Sequence, residues 1–258
     1  MRIGICTNFL TEDRYSMHEE LWEKIRSHAD FIEFPAFPLM EMSDDEFILF
    51  REKLEEKGLR ADVLTNIFPP YLHLMSDPFH KIARYSERLV SRSEMLGVSR
   101  LVLGSGPARR LDDGMDESRA DEIISSIVLN LLVPSGCEIL IEPLRASSTN
   151  YINSVKDAVR ICRLCNTEKV NIVADSYNLM EGDFRTDMIQ ASAYITHVHI
   201  SDDERKIDCG ALSEELMDFL MVLKAIRYDG TLSFECALNL DSSFEELKKK
   251  ICNAIDKE

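Results

Sequence analysis

No apolar run in the chain approaches the roughly 20 residues that a membrane-crossing helix needs. The opening MRIGICTNFL reads as the start of a strand, without the basic region and longer apolar stretch of a signal peptide. Positive charge is scarce. Lys and Arg number 30 against 46 Asp and Glu, a net charge of −16. Such a field repels phosphate backbones, which speaks against a nucleic-acid partner. No GxGxxG follows the first strand-like run, so the dinucleotide fingerprint of an open doubly wound sheet is missing. No linker, composition shift or low-complexity stretch marks a second domain, and the expectation is one domain over residues 1–258.

The seven cysteines are odd in number and form no disulfide framework, which points to a reducing, cytoplasmic setting. Cys162 and Cys165 make a C-x-x-C, but it lies inside the helical stretch DAVRICRLC, and no second pair follows at zinc spacing. Cys6, Cys137 and Cys236 fall in or beside strand-like runs, where a free thiol behaves as a small hydrophobe.

What is present is a regular alternation. Short apolar, strand-like runs lie at 2–7, 31–34, 61–67, 100–104, 138–142, 171–175, 195–200 and 231–235. Helical patterns fall near 17–28, 44–58, 78–96, 116–132, 152–166, 183–191, 212–226 and 243–256. Ser43 with Glu46 fits a capping box, and Ser154 precedes another amphipathic run. Gly58 and Gly97 sit where left-handed helix ends are expected. The strand-like runs are unbroken by charge, as parallel strands covered on both faces should be. Eight such units in 258 residues predict a (β/α)₈ TIM barrel.

Four of the runs end in, or lead into, a metal-capable residue: EILIE ends at Glu142, NIVAD at Asp175, ITHVH at His199 and TLSFE at Glu235. A lone acidic residue at a strand end is ordinarily exposed or caps the next helix, and a lone His is ordinarily a satisfied core group. Four in the same register, at the barrel end where active sites form, are a different matter. Three carboxylates and one neutral imidazole suit one divalent cation, Mn²⁺ first, with Mg²⁺, Co²⁺ or Zn²⁺ as alternatives. A cation held against adjacent hydroxyl and carbonyl oxygens acidifies the C–H between them and stabilises an enediolate. Carboxylates on opposite sides of that carbon can remove and return the proton.

Several segments carry a resemblance. IEPL at 141–144, TNYINSV at 149–155, VADSYNLM at 173–180, HVHISDDER at 197–205 and FECAL at 234–238 resemble the sugar isomerase/epimerase superfamily with a xylose-isomerase-like barrel. NIFPP at 66–70 and LVLGSGPAR at 101–109 look like loops of its small bacterial members, so the resemblance spans essentially the whole chain. In the tagatose- and psicose-type 3-epimerases of that superfamily, the corresponding residues would make Glu142, Asp175, His199 and Glu235 the metal ligands. Glu142 and Glu235 would be the paired acid and base, and Arg205 a substrate-binding group. Two positions depart from that pattern: Asn178 stands where those enzymes carry a His, and Ser148 where they carry a Glu. The departures leave the ligand set intact and put ketose 3-epimerisation itself in question.

Further candidates for contact with a small sugar or sugar derivative are Asn178, Glu33, Asn66, Phe68, His197 and Arg109. Arg109 follows a Gly-Ser-Gly turn, where its guanidinium would hold a phosphate or carboxylate in two-point fashion; the plain alternative is a surface Arg. His197 shares a strand face with His199, and the expectation favours support over direct contact. The leading expectation is a metal-dependent sugar isomerase or epimerase. A sugar-binding barrel with decayed chemistry is the alternative. A metal-dependent endonuclease or hydrolase of the same barrel is less favoured, since a trinuclear zinc cluster needs several more His, only two of the six present lie near the site, and the net charge is −16. A homo-oligomer is compatible with this group of barrels.

Overall fold

The computed structural model describes residues 1–9, 19–180, 183–202, 204–207, 212–238, 240 and 242–256. Cys209 and residues 17–18 of the first expected helix lie outside this set. The strands are β1 (Arg2–Cys6), β2 (Phe31–Pro35), β3 (Ala61–Thr65), β4 (Arg100–Leu103), β5 (Glu138–Ile141), β6 (Val170–Asp175), β7 (Ile195–Ile200) and β8 (Thr231–Phe234). They pair in chain order, all parallel, and β8 returns to β1, so the sheet closes. The fold is a single-domain (β/α)₈ barrel.

The helices are α1 (Glu19–His28), α2 (Ala36–Glu41), α3 (Asp44–Glu56), α4 (Phe79–Leu96), α5 (Glu117–Ile127), α6 (Val155–Cys165), α7 (Ser176–Leu179), α8 (Phe184–Gln190), α9 (Glu214–Ala225) and α10 (Ser242–Ile255). The capping signals act as expected. Ser43 and Glu46 form the reciprocal box at α3, and Ser154 and Asp157 form another at α6. Gly58 and Gly97 have φ of +63° and +68°. The helix expected over 116–132 ends as an α-helix at Ile127 and widens into a π turn at Val128–Leu132. Pro134 follows within a 3₁₀ turn, and its missing N–H prevents the α ladder from continuing. The one-turn helix α7 and the short α2 are too brief to show a helical period in sequence.

Two apolar layers hold the barrel. The larger lies between strands and helices and includes Trp22, Phe34, Leu64, Leu103, Ile141, Ile172, Val198 and Phe234. A smaller cluster of Phe31, Val63, Val102, Leu140 and Val173 fills the barrel interior. Strand side chains alternate in direction, so the residues two further along the strands face the same interior. Leu140 is thus followed by Glu142, Val173 by Asp175 and His197 by His199. The apolar plug sits below and the ionisable groups sit above it, at the C-terminal ends. Gly4 leaves room for the plug. A Cβ there would lie 2.2 Å from the Phe31 ring, so Gly4→Ala would cost about 1–3 kcal/mol in overpacking. Among the described residues, no helix is long and apolar enough to cross a membrane.

Candidate metal and acid–base site

Glu142, Asp175, His199 and Glu235 converge above the plug. One ligand-type atom from each lies within 4.8 Å of the others, and all four residues are buried. The register explains the convergence: Asp175 is the direct β6 partner of His199 on β7, while Glu142 and Glu235 stand one residue past the ends of β5 and β8. Gly104 makes space for Glu142. A Cβ at 104 would lie 2.3 Å from Glu142 Oε2.

His199 is the centre of the cluster. Its Nδ1 lies 3.3 Å from Glu235 Oε2 and 3.7 Å from Glu142 Oε1, yet has no hydrogen-bond partner. On the far side of the ring, Nε2 lies 2.9 Å from Glu33 Oε1, off the line of a straight hydrogen bond. Arg205 donates from one nitrogen to Asp175 Oδ2 at 2.6 Å and from another to Glu235 Oε2 at 2.8 Å. Its guanidinium also lies 4.2 Å from the centre of the Tyr177 ring. Asn178, on α7, donates to Asp175 Oδ2 at 2.7 Å and Glu142 Oε1 at 3.1 Å. Asp175 itself starts α7, its Oδ1 accepting the Tyr177 N–H at 2.9 Å.

Burial and charge pull the groups apart. Burial pushes the Glu142 carboxyl up to about 7, against the opposing pull of His199. Burial likewise raises Asp175, although Arg205 opposes it. At Glu235 the burial effect is outweighed by Arg205 and His199, which hold it below the usual range. Burial works against a charged His199, but Glu33 and Glu235 outweigh it and raise the imidazole well above its ordinary value. Burial lowers His197.

The remaining candidates divide. Asn66 stands beside the cluster: its Oδ1 accepts the Ser105 N–H at 3.2 Å and would meet a Cβ on Gly104 at 3.1 Å. Three residues at this end have positive φ without being glycine, namely Asn66 (48°), Ser105 (44°) and Arg205 (53°). Such left-handed backbone costs about 1 kcal/mol or more per residue and gathers at functional sites.

Four of the candidates for substrate contact are buried. Glu33 is fully buried, with one carboxylate oxygen on each of two imidazoles, His197 at 3.2 Å and His199 at 2.9 Å. It lies on the Nε2 side of His199, opposite the Nδ1 side that faces Glu142 and Glu235. His197 is equally buried and spans Glu33 and Thr231, with its Nδ1 2.7 Å from Thr231 Oγ1. Phe68 belongs to the main apolar core, its ring 5.8 Å from that of Tyr85. Arg109 is neither a surface residue nor an anion holder. It is fully buried and donates to the carbonyls of Leu103, Glu142 and Ile152 at 3.0, 2.6 and 3.4 Å. Burial lowers its pKa to about 10, which leaves it charged at neutral pH. Ser148 is exposed, its carbonyl accepting from Arg110 at 3.2 Å.

Sequence reasoning took Cys6 as a small hydrophobe and did not single out Asn8, Tyr177 or Thr231. Cys6 Sγ lies 3.9 Å and Asn8 Nδ2 3.4 Å from Glu235 Oε1. The period-two alternation of β1 carries the signal for Cys6, since Gly4 and Cys6 share the interior face.

The model of the xylose isomerase-like TIM barrel family matches residues 23–250. The chain belongs to this family. Among solved structures it resembles a D-psicose 3-epimerase with D-tagatose from Clostridium cellulolyticum H10, at 18% identity and a TM-score of 0.72, covering 99% of this chain and 96% of that one. It also resembles an AP endonuclease, family 2, from Brucella melitensis, at 17% identity and a TM-score of 0.72, covering 94% and 95% of the two chains. A third is the IolI protein with a bound zinc atom, at 18% identity and a TM-score of 0.71, covering 99% and 98%. At these identities the likeness is one of fold. No curated protein matches the chain by sequence.

Proposed function

We propose that this barrel is a cation-dependent isomerase or epimerase of a small sugar or sugar derivative. The observation that carries the reading is His199 Nδ1: a buried ring nitrogen without a hydrogen-bond partner, aimed at two of three buried carboxylates. A buried nitrogen in that setting is costly unless something binds it. One neutral nitrogen with three carboxylates is the donor set of an oxygen-preferring divalent ion that keeps open positions. Glu142, Asp175, His199 and Glu235 would hold the ion, with Mn²⁺ the first choice and Mg²⁺, Co²⁺ and Zn²⁺ alternatives. Such a cation supplies positive charge beside substrate oxygens and acidifies the C–H next to a carbonyl.

The chain's own groups do the rest. Glu142 and Glu235 extend from strands on either side of β6 and β7, and serve as base and acid with the direction set by the substrate. Arg205 donates hydrogen bonds that orient substrate oxygens, while the Asn178 amide spends its two N–H groups on Asp175 and Glu142 and so fixes those carboxylates. Asn178 has no titratable proton, so it positions and does not relay. The apolar plug below the site and the walls around it exclude water from the reacting carbon. The Clostridium protein of the same fold is a sugar epimerase, which supports a sugar as the ligand.

The test is dialysis against chelator, addition of Mn²⁺, and product analysis over a panel of ketoses and their derivatives. Interconversion that needs the cation and is lost in both Glu142→Gln and Glu235→Gln is expected. Full turnover of a true substrate by both variants would refute the assignment.

A further inference from the structure

Beside the proposed ligand set, on the Nε2 side of His199, runs a line of buried polar groups. Thr231 Oγ1 lies 2.7 Å from His197 Nδ1. His197 Nε2 lies 3.2 Å from Glu33 Oε2, and Glu33 Oε1 lies 2.9 Å from His199 Nε2. Glu33, His197 and His199 have no exposure to solvent. The two imidazole rings meet edge-on, with centroids 5.1 Å apart at an interplanar angle of 90°.

We infer that Glu33 is a positioning residue that sets the tautomer of both histidines and presents Nδ1 of His199 to the cation. The inference rests on the proposed ligand set and deepens it. A carboxylate accepts and does not donate, so each of its oxygens requires an N–H opposite. Both imidazoles therefore carry their proton on Nε2. On His199 this leaves Nδ1, which faces Glu142 and Glu235, as the nitrogen open to a cation. On His197 it leaves Nδ1 as an acceptor, which the Thr231 hydroxyl fills. His197 is then hydrogen-bonded at both ring nitrogens, while His199 Nε2 is held 2.9 Å from Glu33 Oε1 by charge and proximity, off the line of a straight hydrogen bond. Metal-bound histidines are commonly oriented by a carboxylate on their other nitrogen, and losing that partner weakens metal binding about 10–100-fold. Here one carboxylate orients both the ligand histidine and the histidine that braces it. Glu33 cannot move toward His199 without leaving His197.

The second potential ligand group at this place, Glu33 with His197 and His199, is better explained as this brace than as another cation site. His197 is already held between Glu33 and Thr231, and His199 would have to give up its remaining proton to bind two ions.

The experiment measures Mn²⁺ affinity of chelator-treated, folded protein by calorimetry for wild type and Glu33→Gln. Gln keeps the volume and removes the charge. Its amide offers one acceptor and one donor in place of two acceptors, so one histidine must change tautomer. Weakening of at least about tenfold supports the inference, and a smaller change overturns it. If Glu33→Gln does not fold, Thr231→Val takes its place, removing one donor at the far end of the line. Weakening of about threefold or more supports the inference, and anything less overturns it. Histidine ¹⁵N shifts of the Zn²⁺-loaded wild type give a readout that general destabilisation would not mimic. His199 with its proton on Nε2 is expected, and a proton on Nδ1 overturns the inference. A wild type that binds no divalent ion refutes the ligand set itself, whereas equal binding by wild type and variant refutes only the role of Glu33.

Discussion

Arg205 donates to Asp175 Oδ2 at 2.6 Å, the same oxygen that accepts from Asn178. The guanidinium therefore lies on two of the three proposed ligand carboxylates, Asp175 and Glu235, which share one permanent cation. Removing it leaves buried charge without compensation, which typically costs about 3–5 kcal/mol. Arg205→Ala is expected to lower the melting temperature in chelator. The deficit should narrow when saturating Mn²⁺ restores positive charge to the cluster. A deficit of equal size with and without Mn²⁺, read by thermal unfolding, would count against the shared role of these carboxylates.

Glu142 links function to stability. Its carboxyl is raised from its ordinary value to about 7, mainly by burial. A group raised on folding contributes stability that is complete below its unfolded pKa and is lost as pH rises through the folded value. The window here runs from the ordinary Glu range near 4.3 up to about 7. A displacement of this size corresponds to roughly 3 kcal/mol. In chelator at pH 8, Glu142→Gln is expected to melt above wild type, with the advantage disappearing toward pH 4.5. The same variant should lose the proposed activity. A variant less stable than wild type at pH 8 would contradict the burial cost assigned to this carboxylate.

Cation binding should release protons. Glu33 and Glu235 hold His199 in its protonated form well above the ordinary histidine range, and the Glu142 carboxyl is raised as well. A bound cation needs both groups deprotonated. The protein with the cation thus carries fewer protons than the protein without it, and affinity should rise with pH between 6 and 8. Calorimetry in buffers of different ionisation enthalpy measures the release directly. No proton release and a flat affinity over that range would argue against His199 as a ligand.

Arg109 tests the scaffold beneath the site. Its guanidinium holds the backbone carbonyls of Leu103, Glu142 and Ile152. Ile152 has φ of +58°, a strained setting for a β-branched residue. Arg109→Met fills most of the volume and leaves buried carbonyls unpaired, at a cost of about 3 kcal/mol. Chemical unfolding is expected to show that loss. A change under about 1 kcal/mol would mean that water replaces the guanidinium without penalty.

The barrel was legible because its strands are apolar runs of even spacing, and the convergence of Glu142, Asp175, His199 and Glu235 follows from counting along them. The alternation that brings His199 to the interior also places His197 there, so the pair was visible as a unit. Arg109 was not legible, because its loop turns back and commits the guanidinium to carbonyls from distant segments. Glu33 was seen as an inward residue, but its depth was not. The ordering of inward residues along the barrel axis depends on strand stagger, which one sequence does not reveal. Asn178 lies on a one-turn helix capped by Asp175, and only the turn brings its amide to Glu142.

The most direct test of the proposed chemistry is solvent deuterium exchange. Wild-type protein loaded with Mg²⁺ is incubated in D₂O with a ketose or sugar derivative that it interconverts, and the recovered sugar is analysed by NMR. Proton transfer between Glu142 and Glu235 predicts deuterium at a single carbon beside the carbonyl, in product and returned substrate alike, and none with Glu142→Gln. Complete turnover with no deuterium in either sugar would contradict it.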